Sequence, residues 1–193
     1  MKRMLVTGFM PFGKDTVNPS WEAAKGLPER IGNWEICKLC LPVVFGEAAR
    51  QAVAAAEACG AEAVLSLGLA GGRAALTPEL VGINLRHARI PDNAGRQPQD
   101  MPIDPAGPAA YFSTLPVRAM EKAILAQGLP AAVSYSAGAY VCNDLLYSLL
   151  RRFEGTPVRA AFLHVPYLPD MGTPSMALAD MLRGIAAAIE SCG

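Results

Sequence analysis

The sequence predicts an α/β domain with a mainly parallel sheet covered by helices on both sides. Apolar runs of strand length alternate with helical stretches along the chain. Several runs place Val, Ile and Leu on consecutive positions, the pattern of strands buried on both faces. The helical stretches end at glycines, which tolerate the left-handed backbone of a helix stop. The 193 residues suit one sizeable core, and neither repeat nor linker divides them, so 1–193 is expected to be a single domain.

The first strand is expected at Arg3–Phe9, because the apolar part of Met1–Phe9 is too short for a secretory leader. That expectation places the protein in the cytoplasm. A second strand follows at Glu35–Val44, then an Ala-rich helix, Gly46–Cys59, stopped by Gly60. Ala63–Leu69 and Leu80–Ile90 read as further strands. Pro91–Pro116 is polar and Pro-rich, with Asp92-Asn93-Ala94-Gly95 as a turn, and a loop of that length suits a functional or interface role. The remaining elements are a helix at Val117–Gln127, a strand at Ala131–Ser136, a helix at Asn143–Phe153, a strand at Val158–Val165 and a closing helix at Pro174–Cys192.

Charge and cysteine usage narrow the function. Seventeen basic residues balance seventeen acidic ones, which favours neither nucleic acid nor an anionic membrane. The chain is 52% hydrophobic, yet charges or prolines interrupt every apolar run well before membrane-spanning length. Five cysteines make no regular disulfide framework. Cys37 and Cys40 form a C-x-x-C, but three residues apart on a strand they point to opposite faces, and no second ligand pair follows. No metal is expected there; these read as structural thiols of a reducing compartment.

In sheets of this kind ligands bind beyond the carboxyl ends of the strands. Those ends carry Gly8–Gly13, Gly68–Arg73, Ser136-Ala137-Gly138 and His164-Val165-Pro166. Cys142 follows a small-residue turn at the start of a helix, where unpaired N–H groups and the helix dipole favour a thiolate. His164 ends an apolar strand, and Glu79 follows the Gly-rich loop. A cysteine and a histidine on separate elements are the parts of a thiol hydrolase, although Cys142 also fits the apolar stripe of Leu145, Leu146, Leu149 and Leu150. His87, between Arg86 and Arg89, reads as solvated. Gly68-Leu69-Ala70-Gly71-Gly72 matches neither dinucleotide nor P-loop fingerprints, but with Arg73 it leaves open the phosphate cradle of a nucleoside or phosphosugar enzyme. A non-catalytic binding protein on the same scaffold is a third reading. No G-x-S-x-G elbow is present around Ser136.

The segments Thr7–Gly13 with Asn18-Pro19-Ser20-Trp21, Gly68–Arg73, Ala88–Asn93, Ala110–Pro116, Ser134–Asn143 and His164–Tyr167 together resemble the type I pyroglutamyl peptidases, or pyrrolidone-carboxylate peptidases, over nearly the whole chain. The resemblance implies a three-layer α/β/α sandwich like that of the nucleoside phosphorylases, no cofactor, a cytoplasmic location and a homotetramer or dimer. It implies Cys142 as nucleophile, His164 as its base and Glu79 as the carboxylate behind the histidine. It places Phe9 and Phe12 against the pyroglutamyl ring with Asn18, Tyr140 and Val141 close by, and makes Arg89 a candidate for added positive charge. Peptides with an N-terminal pyroglutamate are the implied substrates. One departure stands out: Leu80 follows Glu79 where that family usually has a basic residue. These residues supply no evident carboxylate for an ammonium, so a free N-terminal Glu, Gln or Pro is expected to be disfavoured.

Overall fold

A computed structural model describes residues 2–193. Its central sheet has the order β2-β3-β1-β4-β8-β5, formed by β1 (Lys2–Phe9), β2 (Arg30–Ile31), β3 (Trp34–Leu41), β4 (Ala63–Leu69), β5 (Thr77–Glu79) and β8 (Arg159–Val165). The four middle strands run parallel, while the edge strands β2 and β5 are antiparallel to their neighbours. Strands β6 (Val81–Ile83) and β7 (Ala110–Phe112) pair separately.

Period-two alternation divides the parallel strands between two apolar layers. Met4, Val6, Leu65, Leu67, Leu163 and Val165 join one cluster with α1 (Pro19–Gly26), α3 (Val117–Ala126) and α5 (Leu178–Glu190). Leu5, Phe9, Val64 and Phe162 face α2 (Glu47–Cys59) and α4 (Val141–Arg152). The three-layer arrangement and mainly parallel sheet match the sequence expectation. Among the described residues, no helix is long and apolar enough to cross a membrane.

Two expected strands are corrected. Only Val81–Ile83 of Leu80–Ile90 is a strand; afterwards Arg86 bridges Met101 and the His87 N–H donates to the Ala139 carbonyl. Its backbone partners change segment by segment, which periodicity cannot reveal. Ala131–Ser136 runs beside β5 but forms only isolated bridges, Leu76 with Ala131 and Glu79 with Ser134. Pro78 lies between these bridges and has no N–H, so the ladder breaks there. The sequence reading also missed α1, although Asn18 followed by Pro19 is a helix-start signal. Asn18 caps it, its Oδ1 accepting from Ser20 N–H at 3.1 Å. Loss of such a cap costs about 1 kcal/mol.

Candidate active site

The rim at the carboxyl ends of β1, β4 and β8 gathers the thiol, the imidazole and the carboxylate. Gly138, with φ 77°, supplies the left-handed turn before α4, and Tyr140 caps that helix. Cys142 therefore lies in its first turn. The first intrahelical bond runs from Asp144 N–H to Tyr140 O at 3.0 Å, so the N–H groups of Val141, Cys142 and Asn143 precede the helical ladder.

Two residues to which the sequence reading gave no role hold this turn in place. Asn143 Oδ1 accepts from Ile83 N–H at 2.9 Å, while its Nδ2 donates to Ile83 O and Leu85 O. Fully buried Asp144 accepts from Arg86 Nε at 2.6 Å and from Gly46 N–H at 2.7 Å. Polar side chains in the first turn of an otherwise apolar helix were the signal available for both.

Gly68 brings the thiol close to the sheet. A Cβ at this position would lie 3.0 Å from Cys142 Sγ and 2.5 Å from the Phe162 ring, so a larger residue would push the nucleophile helix away. Gly68 is the in-register partner of His164 in β8. Across the sheet edge Thr77 lies opposite His164, and Glu79 is two residues further along the same face. That diagonal lets a long side chain reach across: His164 Nδ1 and Glu79 Oε1 are 2.7 Å apart. Among the described residues, no hydrogen bond joins Cys142 Sγ to the imidazole. Catalytic contacts in an unliganded site are often looser than in the substrate complex.

Burial dominates the proton affinities here. It pushes the Cys142 thiol up to about 12, assisted by the Glu79 charge and opposed by Arg73 and the residue's own N–H. Against the thiolate-favouring helix start expected from the sequence stands desolvation, which raises the thiol's proton affinity. Burial likewise lowers His164 against the opposing pull of Glu79. Glu79 is also fully buried; desolvation favours its acid form, but His164, Ser134 and Arg73 hold it below its ordinary value. Burial thus favours the neutral thiol and the neutral imidazole, while the hydrogen-bonding partners of Glu79 favour its ionised form.

A cavity of about 200 Å³ opens on Cys142, lined by Phe9, Phe12, Asp15, Val17, Asn18, Val43, Leu69, Tyr140 and Val141. All five residues expected around the ring are among them. Asn18 donates one amide N–H to Met10 O at 2.9 Å, leaving the other free. Asp15, exposed to solvent, also lines this cavity and adds a carboxylate to the residues the sequence reading named there. Its position in an irregular segment gave no signal of that placement. Arg89 lies instead in a neighbouring cavity of about 420 Å³ with His87, Ile90, Gly138 and Ala139, across the Phe12–Tyr140 pair. The positive charge bearing on Cys142 comes from Arg73. Leu80 turns the other way and packs in the α1–α3–α5 layer. Among the described residues, no cluster of three or more His, Cys, Asp or Glu side chains could hold a metal ion.

A family model described as pyroglutamyl peptidase matches residues 2–193. The pyrrolidone-carboxylate peptidase of Levilactobacillus brevis is 49% identical over 199 residues, covering 98% of this chain and 96% of the relative. That of Gloeobacter violaceus is 49% identical, covering 97% and 95%. The crystal structure of Bacillus amyloliquefaciens pyroglutamyl peptidase I superposes with a TM-score of 0.96 at 40% identity, covering all of this chain and 97% of that one. The pyrrolidone carboxyl peptidase from Thermococcus litoralis gives 0.95 at 40% identity, with coverages of 100% and 93%. With the family model spanning the described chain and relatives this similar at full length, the protein belongs to the pyroglutamyl peptidase family.

Proposed function

We propose that this protein is a cysteine exopeptidase that hydrolyses the bond following an N-terminal pyroglutamyl residue. The observation that carries the reading is a small, largely apolar cavity opening on Cys142 beside a buried histidine–carboxylate pair. Phe9, Phe12, Tyr140 and Val141 offer surfaces suited to a flat lactam, and the free Asn18 amide N–H suits its carbonyl.

The chemistry follows from the proton affinities. His164, neutral at rest, accepts the Cys142 proton as sulfur attacks the pyroglutamyl carbonyl. Glu79 keeps the proton on Nδ1, leaving Nε2 as the base, and stabilises the imidazolium that forms. First-turn N–H groups of α4 are the oxyanion donors. His164 then protonates the departing amine, and water, deprotonated by the same ring, releases pyroglutamate from the acyl-enzyme. Arg89 takes no part in these steps.

The alternative phosphate cradle has little support, because the Arg73 guanidinium is directed to Glu79, Thr77 and Ser136. The protein is further proposed to work in the cytoplasm as one 193-residue domain without a cofactor and to assemble as a homo-oligomer. Five free cysteines support a reducing compartment, and Phe112 on β7, 72% exposed within Pro91–Pro116, supports a subunit contact there. Sedimentation showing only monomer would remove the last proposal. The catalytic reading is tested by titrating the protein with iodoacetamide while following cleavage of a pyroglutamyl anilide. Activity should disappear as one thiol is alkylated; an alkylated protein that still cleaves at full rate would refute it.

A further inference from the structure

Glu79 is a fully buried charge in the site, and its hydrogen bonds of good geometry converge on one oxygen. Oε1 receives Arg73 Nη1 at 2.8 Å and lies 2.7 Å from His164 Nδ1, while Oε2 makes no hydrogen bond of good geometry among the described residues. The His164 imidazole is one partner of that oxygen. Arg73 is the second donor. The same Nη1 donates to Thr77 Oγ1 at 2.7 Å, and Nη2 donates to Ser136 O at 3.3 Å, in the turn leading to the Cys142 helix. One guanidinium thus joins the Gly-rich loop, β5 and the nucleophile turn, with its side chain 33% exposed beside the fully buried Glu79.

We propose that Arg73 is a positioning residue for the reaction, anchoring the Glu79 carboxylate so that it holds the His164 ring with the proton on Nδ1 and Nε2 left to accept one. The proposal rests on the reading of Cys142, His164 and Glu79 given above. The ionisable groups that bear on the thiol and imidazole are Glu79 from β5 and Arg73 from the loop after β4. Glu79 favours the protonated imidazole, and Arg73 opposes it. Removing the cation should therefore make His164 bind its proton more tightly.

The test compares Arg73→Met and Arg73→Lys with the unmodified protein in two assays. The first is the pH dependence of Cys142 alkylation by iodoacetamide, which requires no peptide substrate. The second is kcat and KM on a pyroglutamyl anilide. In Arg73→Met the acid limb of alkylation should move up by about one pH unit, the scale of shift a nearby charge produces. Its kcat should fall about tenfold or more with KM within about threefold, since a transition-state contribution is lost rather than ring binding. Arg73→Lys should restore the limb and recover only part of kcat, because an ammonium keeps the charge without the fork. If Arg73→Met does not fold, as judged by circular dichroism, the neutral Arg73→Gln carries the same expectation. An alkylation profile superimposable on that of the unmodified protein in a folded neutral variant would overturn the proposal, even if turnover fell. Failure of the unmodified protein to cleave the anilide would instead strike the proposed function and leave the alkylation comparison readable.

Discussion

The chain's two histidines each present Nδ1 to a carboxylate, at 2.7 Å for His164 with Glu79 and 2.9 Å for His87 with Asp100. The distances hardly differ, but the surroundings do. Side-chain exposure is 5% and 0% in the first pair and 38% and 78% in the second. Water screens the second pair, and such a contact contributes little to either partner. The first lies where the effective dielectric is low, so each charge strongly alters its neighbours' proton affinity. Depth, rather than distance, makes one pair a candidate for catalysis and leaves the other a surface contact.

Removing the chemistry from the buried site should produce the largest effect. Cys142→Ser should lower kcat/KM for a pyroglutamyl anilide by about 10³-fold or more while circular dichroism stays unchanged, because the hydroxyl is a far poorer nucleophile beside a neutral imidazole. A variant keeping a tenth of the activity would remove Cys142 from the mechanism. His164→Ala should approach the same loss and slow iodoacetamide alkylation near neutrality.

The two carboxylates allow the comparison itself to be broken. Glu79→Gln keeps the shape but loses the charge that fixes the imidazole tautomer, with an expected fall in kcat of about 10²- to 10⁴-fold. Asp100→Asn and His87→Ala should each leave kcat/KM within about twofold. Were His87 essential and His164 dispensable, the assignment of roles would be reversed.

Acidification should sharpen the contrast. The folded-state affinities of both His164 and Glu79 are lowered, so the unfolded chain takes up protons first and stability falls as pH falls. The histidine contribution is complete above its unfolded value of 6.5 and is lost as pH drops below it; Glu79 follows below 4.5. Melting temperature should therefore decline between about pH 7 and pH 5. A flat profile over that interval would contradict the depressed His164 affinity. For the same reason, the acid limb of kcat/KM should lie below that of an ordinary imidazole.

The smallest expected effect concerns Asp15. An exposed carboxylate offers an incoming ammonium only a screened partner, so pyroglutamyl anilides should still be strongly preferred over prolyl, glutaminyl and glutamyl ones. Asp15→Asn should raise that preference by about twofold to fivefold, the scale of one weak surface ion pair. Equal cleavage of prolyl and pyroglutamyl anilides by the unmodified protein would refute the account of the cavity.

The sequence alone determined the parallel centre of the sheet: β1, β3, β4 and β8 fall within or close to the apolar runs, because strands covered on both faces need consecutive apolar residues. It also marked the rim, where Cys142 and His164 interrupt apolar elements beside glycine-rich turns. Its antiparallel edge was poorly legible. There β5, like the separately paired β6 and β7, is three residues long, too short for periodicity, and the missing N–H of Pro78 breaks the adjoining ladder. Only the tertiary structure decided that Glu79 reaches His164 diagonally across that edge, that Arg73 anchors it, and that Asp15 rather than Arg89 stands by the Cys142 cavity. Burial of the thiol was likewise a tertiary matter, since the helix start at Cys142 can be read from neighbouring residues, whereas desolvation depends on everything that packs around the sulfur.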